Sequence, residues 1–298
     1  MRAKPAVAKL AVLCASVLTS AVVCSAQTNT EPRPHAATQP DYTSVYCSGF
    51  VSDPKVPDDI RLISGEGSTY RIVFEHRDYV YINRGEDKGV KIGDVFAVVR
   101  PVIDAGNEWF YGQPKALREM GTVYKDAGQL RVVSVHPKTS IAEVAFSCDY
   151  MQRGDIVRPF EERPAPPYKD PGVPDHFAPI SGKPVGTIVG SFDFHQELAR
   201  GDAAYVNIGA NKGVKVGDYM RLFRYQETKK DVSQSAGEHD YQYKVFGFGS
   251  APMRYSGKDL PRELLGEGIV LNVTRGAATV LITYSSAEMY AGDFAEIE

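Results

Sequence analysis

The chain has 298 residues, of which 43% are hydrophobic and 24% charged, with 34 Lys and Arg against 37 Asp and Glu and a formal net charge of −3. That slightly acidic balance argues against a nucleic-acid partner, which wants a basic face, and against tight binding to an anionic membrane surface. Two cysteines beyond residue 26, without clustered histidines, exclude a structural zinc site.

Arg2, Lys4 and Lys9 precede an apolar run from Leu10 to Val23 and the small residues Ser25 and Ala26. The pattern predicts a signal peptide over 1–26, cleaved after about Ala26, and a mature chain in the periplasm or secreted. An uncut anchor is the alternative. Leu13 and Val23, neither of them small, precede Cys14 and Cys24, which disfavours lipidation. No later segment is apolar enough to span a membrane, so the mature chain is expected to carry no transmembrane segment. Residues 27–42 are polar with scattered prolines and read as disordered.

Short β-branched or aromatic segments bounded by Gly, Asp and Pro then follow. Strand-like stretches run over Ser44–Ser52, Tyr70–Phe74, Tyr79–Asn83, Val95–Arg100, Leu130–His136, Ile141–Phe146 and Asp155–Arg158. They make a first β module over 43–161. Residues 162–176 form a Pro-rich linker, expected to be extended and semi-rigid. A second module over 177–298 holds Pro184–Phe194, Ala203–Ile208, Tyr219–Arg224, Gly268–Thr274, Ala278–Tyr284 and Phe294–Ile297. His136–Thr139 and Thr274–Ala277 read as hairpin turns. The fold class is mainly β: two tandem small barrel-like modules, or sandwiches.

The two modules are copies of one unit. Residues 78–94 match 202–218 without a gap, with ten of 17 positions identical, and 128–155 match 266–293 more sparsely. The offset grows from 124 to 138, so the second copy carries about 14 extra residues within 226–261. The shared turn residues are Asn83, Gly85, Gly89, Gly93, Asp94, Gly154 and Asp155 in the first copy. In the second they are Asn207, Gly209, Gly213, Gly217, Asp218, Gly292 and Asp293. Glycine takes positive φ and aspartate closes an Asx-turn, so these positions are read as structural.

Residues of chemical interest are few. Asn83 to Asp94 resembles a calcium loop only faintly, because Lys88 stands where the turn glycine belongs and the bidentate Glu is missing. Arg153-Gly154-Asp155 and Arg200-Gly201-Asp202 lie at repeat turns and are read as turns. No His-Glu-x-x-His, Gly-x-Ser-x-Gly or phosphate-binding loop occurs. No catalytic residue, metal or cofactor is assigned, and an enzyme is the less favoured reading. Cys47 and Cys148 are a disulfide candidate in an oxidising compartment, two buried thiols being the alternative. Trp109, Phe110, Tyr111, Tyr241, Tyr243, Phe246, Phe248 and Tyr255 fall where the copies diverge. They either cap a barrel end or form a contact surface.

The pattern Tyr-x-Asn-x-Gly-x-x-x-Gly-Val-Lys-x-Gly-Asp, an apolar strand, a variable excursion and a closing Met-x-x-Gly-Asp resembles the C-terminal domain of the flagellar assembly protein T family, over 79–158 and 203–297. The resemblance implies a periplasmic β module acting through protein contacts; the chain differs in carrying two copies. It is also similar to uncharacterised secreted bacterial proteins grouped with LysM-type proteins, though it holds no LysM repeat. The expected function is an exported cell-envelope scaffold or adaptor with envelope protein partners. Peptidoglycan or polysaccharide binding is the alternative.

Overall fold

The computed structural model describes residues 38–102, 117, 119–169, 174–193, 195, 197–225 and 261–298. The chain is mainly β and forms two tandem modules. Among the described residues no helix is long and apolar enough to cross a membrane.

A short helix, α1 (Tyr42–Tyr46), opens the described part, where the sequence pattern predicts a strand from Ser44. The reason is local: Asp41 caps it by accepting the Ser44 N–H at 2.9 Å, and Tyr42 stacks one turn away on Tyr46 at 4.4 Å. A cap and an i,i+4 aromatic pair outweigh weak strand propensity over so few residues.

The first module contains β1 (Phe50–Ser52), β2 (Leu62–Gly65), β3 (Val73–Phe74), β4 (Tyr79–Ile82), β5 (Val95–Pro101), β6 (Thr122–Val135), β7 (Ser140–Ser147), β8 (Met151–Gln152) and β9 (Ile156–Pro159). Its main sheet curls in the order β2-β4-β7-β6-β5-β9, with β1 added on β6. A bridge between Arg61 and Ile156 brings the two ends of the curl together.

The second module contains β10 (Val185–Ser191), β11 (Glu197–Leu198), β12 (Ala203–Val206), β13 (Tyr219–Tyr225), β14 (Arg262–Val273), β15 (Ala278–Ser285), β16 (Met289–Tyr290) and β17 (Phe294–Ile297). Here the barrel closes fully in the order β10-β12-β15-β14-β13-β17. Apolar side chains fill both interiors, among them Leu62, Val80, Val98, Leu130 and Val144 in the first and Ile188, Val206, Leu222, Val270 and Val280 in the second.

Both modules are built on one device, used three times in each. A residue with positive φ precedes an aspartate, and the pair clamps one residue of a neighbouring strand. Gly93 N–H donates to the Val132 carbonyl and Val132 N–H donates back to that of Asp94. Arg77 and Asp78 hold Val144 in the same way, and Gly154 and Asp155 hold Leu62. In the second module Gly217–Asp218 holds Val270, Gly201–Asp202 holds Ile282 and Gly292–Asp293 holds Ile188. Each aspartate side chain closes its own turn by accepting an N–H three residues back, at 2.8–2.9 Å. The clamped residues are all buried and apolar, so each turn ties the rim to the core.

The other shared residues are joints of close approach. A Cβ at Gly85 would meet the His136 carbonyl at 2.3 Å, and one at Gly209 the Thr274 carbonyl at 2.4 Å. This glycine turn therefore seats directly on the β6–β7 or β14–β15 hairpin. Asn83 Oδ1 accepts the Arg61 N–H at 2.6 Å and Asn207 Oδ1 accepts that of Thr187 at 2.7 Å, at equivalent positions of the two copies.

One ion pair also recurs. Arg100 donates twice to Asp155, at 2.7 and 2.8 Å, and Arg224 donates twice to Asp293, at 2.8 and 2.7 Å. Burial lowers the tendency of each arginine to hold its proton, but the aspartate hydrogen bonds and charge outweigh it and raise the pKa. Both aspartates are fully buried. Asp155→Ala should therefore cost about 3 kcal/mol in denaturant unfolding, since it strands a half-buried guanidinium. Asp94→Ala, which loses only a half-exposed turn bond, should cost about 1 kcal/mol.

Candidate functional site

The aromatic residues read as a barrel-end cap or a contact surface, Trp109 to Tyr111 and Tyr241 to Tyr255, lie outside the described residues. What is described is where those segments leave and re-enter. Pro101 pairs with Tyr124 in one module and Tyr225 with Arg262 in the other, which are equivalent positions of the repeat. Val102, Leu117 and Met120, at the foot of the first excursion, pack at the junction between the modules.

That junction is the candidate site, and β1 builds it. β1 pairs with β6 through Phe50↔Tyr124, Val51↔Val123 and Ser52↔Thr122. Its other edge faces the second module. There, backbone carbonyls would be buried without partners, a cost of about 1–3 kcal/mol each. Module 2 side chains supply the donors. Tyr205 Oη donates to the Ser48 carbonyl at 3.2 Å, Thr279 Oγ1 to Gly49 at 3.1 Å and Thr274 Oγ1 to Val51 at 2.7 Å. Val51, Leu117 and Val123 pack around them against Val189, Tyr205 and Ala277.

The approach is close enough to dictate residue type. Gly49 has φ +64°, and a Cβ there would meet Tyr205 Oη at 2.4 Å. On its inner side Gly49 N–H donates to Asp126 Oδ2 at 2.9 Å. The disulfide Cys47–Cys148, with Cα atoms 5.4 Å apart, ties the start of this segment to the end of β7. Helix α1 adds a second tie: Tyr42 bonds Gln129, and Tyr46 Oη accepts the Arg163 N–H at 2.7 Å. The linker is laid along both modules. Tyr168 packs on Ile269, Leu271 and Leu281, and Lys169 pairs with Glu267 and Glu298 at 2.6 and 2.7 Å.

Behind β1 lies a buried polar group. Burial pushes the Asp126 carboxyl up to about 6, although Arg163, the Gly49 N–H and Arg158 pull the other way. Burial lowers the Arg158 pKa, and its guanidinium stacks on Phe50 at 5.0 Å. Ser48 Oγ, Arg158 Nε and Arg163 Nη1 are buried without hydrogen-bond partners among the described residues. Chemically the cluster offers a carboxyl that titrates near neutrality within a module contact. Among the described residues, no group of three or more His, Cys, Asp or Glu is placed to hold a metal ion.

Sequence reasoning missed Tyr205, Thr274, Thr279, Gly49 and Asp126. One weak signal existed: Asp126 is the sole acid between Val123 and Val135, in a segment that otherwise reads as strand. The hydroxyls carried none, because Tyr205 is simply the repeat's Tyr81 in the other copy. In comparison with known proteins, the chain matches no family model and no curated protein.

Two outcomes follow. Tyr205→Phe and Thr279→Val each orphan a buried carbonyl and should cost about 1–3 kcal/mol by denaturant unfolding, without loss of the barrel's far-ultraviolet spectrum. For Asp126 the folded pKa lies above the unfolded value of 3.8. Its contribution to stability is therefore fully present below about pH 4 and lost as pH rises through about 6. Asp126→Asn should remove that dependence, so the variant gains on the parent by roughly 2–3 kcal/mol between pH 4 and pH 8. Paired thermal melts across that range check it.

Proposed function

We propose that this protein is an exported cell-envelope scaffold or adaptor that binds protein partners through its paired β modules. One observation carries the reading. The modules dock into a single body through β1, while the two segments that differ between copies spring from equivalent strand pairs, β5–β6 and β13–β14. A common frame presenting different excursions is the arrangement expected of a binding protein, whose specificity resides in loops held by a rigid scaffold. The aromatic content of the excursions suits a protein contact, since Tyr and Trp are enriched there.

Two further observations support the compartment. The positive, then apolar start of the chain fits a secretory signal. The Cys47–Cys148 bond belongs to an oxidising environment such as the periplasm or the outside of the cell. Closing a loop of about 100 residues would contribute roughly 4–5 kcal/mol on the chain-entropy model.

The test is crosslinking in cells. A specific envelope protein should be captured above background, and the yield should fall at least about tenfold when Trp109, Phe110 and Tyr111 are changed together to Ala. Absence of any captured protein removes the reading. Cosedimentation with purified sacculi in its place would favour peptidoglycan.

A further inference from the structure

The docking of the two modules is not symmetric. Module 1 offers its β1 side; module 2 offers the outer face of β10, β12 and β15. The face on module 2 centres on Val189, Tyr205 and Thr279, and all three are fully buried by the contact. The repeat places a counterpart of each on module 1. Leu62 pairs with Ile82 as Ile188 pairs with Val206, which makes Ile63 the equivalent of Val189. Tyr81 is the equivalent of Tyr205, and it pairs with Ile141 as Tyr205 pairs with Thr279. On module 1 these positions are less covered than on module 2. Ile63 is 43% exposed, and Tyr81 and Ile141 are half-buried.

The opposite face also has a counterpart. In module 1 the leading segment lies over Tyr124 and Arg158: Phe50 stacks on Tyr124 at 5.2 Å and under the Arg158 guanidinium at 5.0 Å. The equivalent pair in module 2 is Arg262 and Glu296, and a leading segment lies over it too. Arg262 donates to the carbonyls of Ala178 and Pro179, and Glu296 accepts the Ser181 N–H at 2.8 Å. This segment exposes Phe177 by 75% and Ile180 by 63%.

Among the described residues, each chain thus uses one docking face of each module internally and leaves the other outward, with large apolar side chains on both. A contact between unlike faces is heterologous, and repeated between molecules it extends head to tail. We propose that the Phe177–Ile180 segment of one copy docks on the Ile63–Tyr81–Ile141 face of a second copy of this chain, continuing the contact that joins the two modules. The proposal rests on described residues outside the excursions and its test reads self-association, so it stands or falls apart from the partner-binding reading.

Sedimentation velocity on the purified oxidised protein tests it, from about 1 μM to about 1 mM, the range in which a contact of modest affinity populates. The weight-average sedimentation coefficient should rise with concentration and pass the dimer value. Ile63→Asp and Ile180→Asp each leave one face intact and change an exposed residue, so both should fold, with melts matching the parent. Each alone should remain monomeric over the range. An equimolar mixture should form dimers and nothing larger, through the one intact pair of faces. A parent that stays monomeric throughout overturns the proposal. So does association that survives either substitution, or a mixture that does not dimerise.

Discussion

A buried backbone carbonyl needs a donor, and β1 is a three-residue strand with one edge unpaired by its own sheet. Everything about how this molecule is arranged as a pair of modules turns on that need. The donors come as three hydroxyls from a barrel that is otherwise complete without β1. An exposed edge of this kind invites pairing with other chains, and covering it is the usual remedy. Here the cover is the second copy of the same module. The cover is exacting as well, because Gly49 admits no Cβ beneath Tyr205. The disulfide and α1 hold the segment in place from its other end, so the edge strand is anchored to module 1 as well as to module 2.

Much of the fold was legible because the repeat exposes its joints. The paired residues Gly93–Asp94, Gly154–Asp155, Gly217–Asp218 and Gly292–Asp293 recur in sequence because the same clamp recurs in space. Arg77–Asp78 escaped notice as a member of that set, since an arginine holds the φ of +72° where its counterpart Gly201 has +100°. The long strands were seen only in part. β6 and β14 begin well before Leu130 and Gly268, and they bend at Gly128 and Gly266. There a Cβ would strike the Phe146 or Tyr284 carbonyl at 2.1–2.2 Å. A glycine in mid-strand reads locally as a break, and only the partner strand reveals it as a bend.

The junction was illegible for a different reason. Periodicity reports whether a side chain faces a core, and Tyr205, Val189 and Thr279 face away from their own barrel. Their burial depends on a second module placed by contacts more than 150 residues apart in sequence. The aromatic excursions were the more conspicuous feature, yet the residues that decide the architecture are a glycine, a tyrosine and two threonines of ordinary appearance. Asp126 belongs with them: its burial is a consequence of β1 lying over it, and its raised pKa follows from that burial.

Duplication explains how so spare a contact can hold. When two docking surfaces share one chain, the second meets the first at an effective concentration of about millimolar, so an interface of only modest affinity is held closed within one chain. The linker adds to this by packing Tyr168 and Lys169 on module 2 instead of spanning open solvent. Once joined, the copies were free to diverge on the faces they no longer shared. The pair that is Ile141 and Arg158 in module 1 is Thr279 and Glu296 in module 2, and each residue suits its present neighbour. Thr279 supplies a hydroxyl to a buried carbonyl, and Glu296 neutralises the buried Arg262 at 2.6 Å. Ile141, by contrast, keeps an apolar side chain on a partly exposed face. The physical asymmetry between the copies therefore lies less in their folds than in which face each has already satisfied.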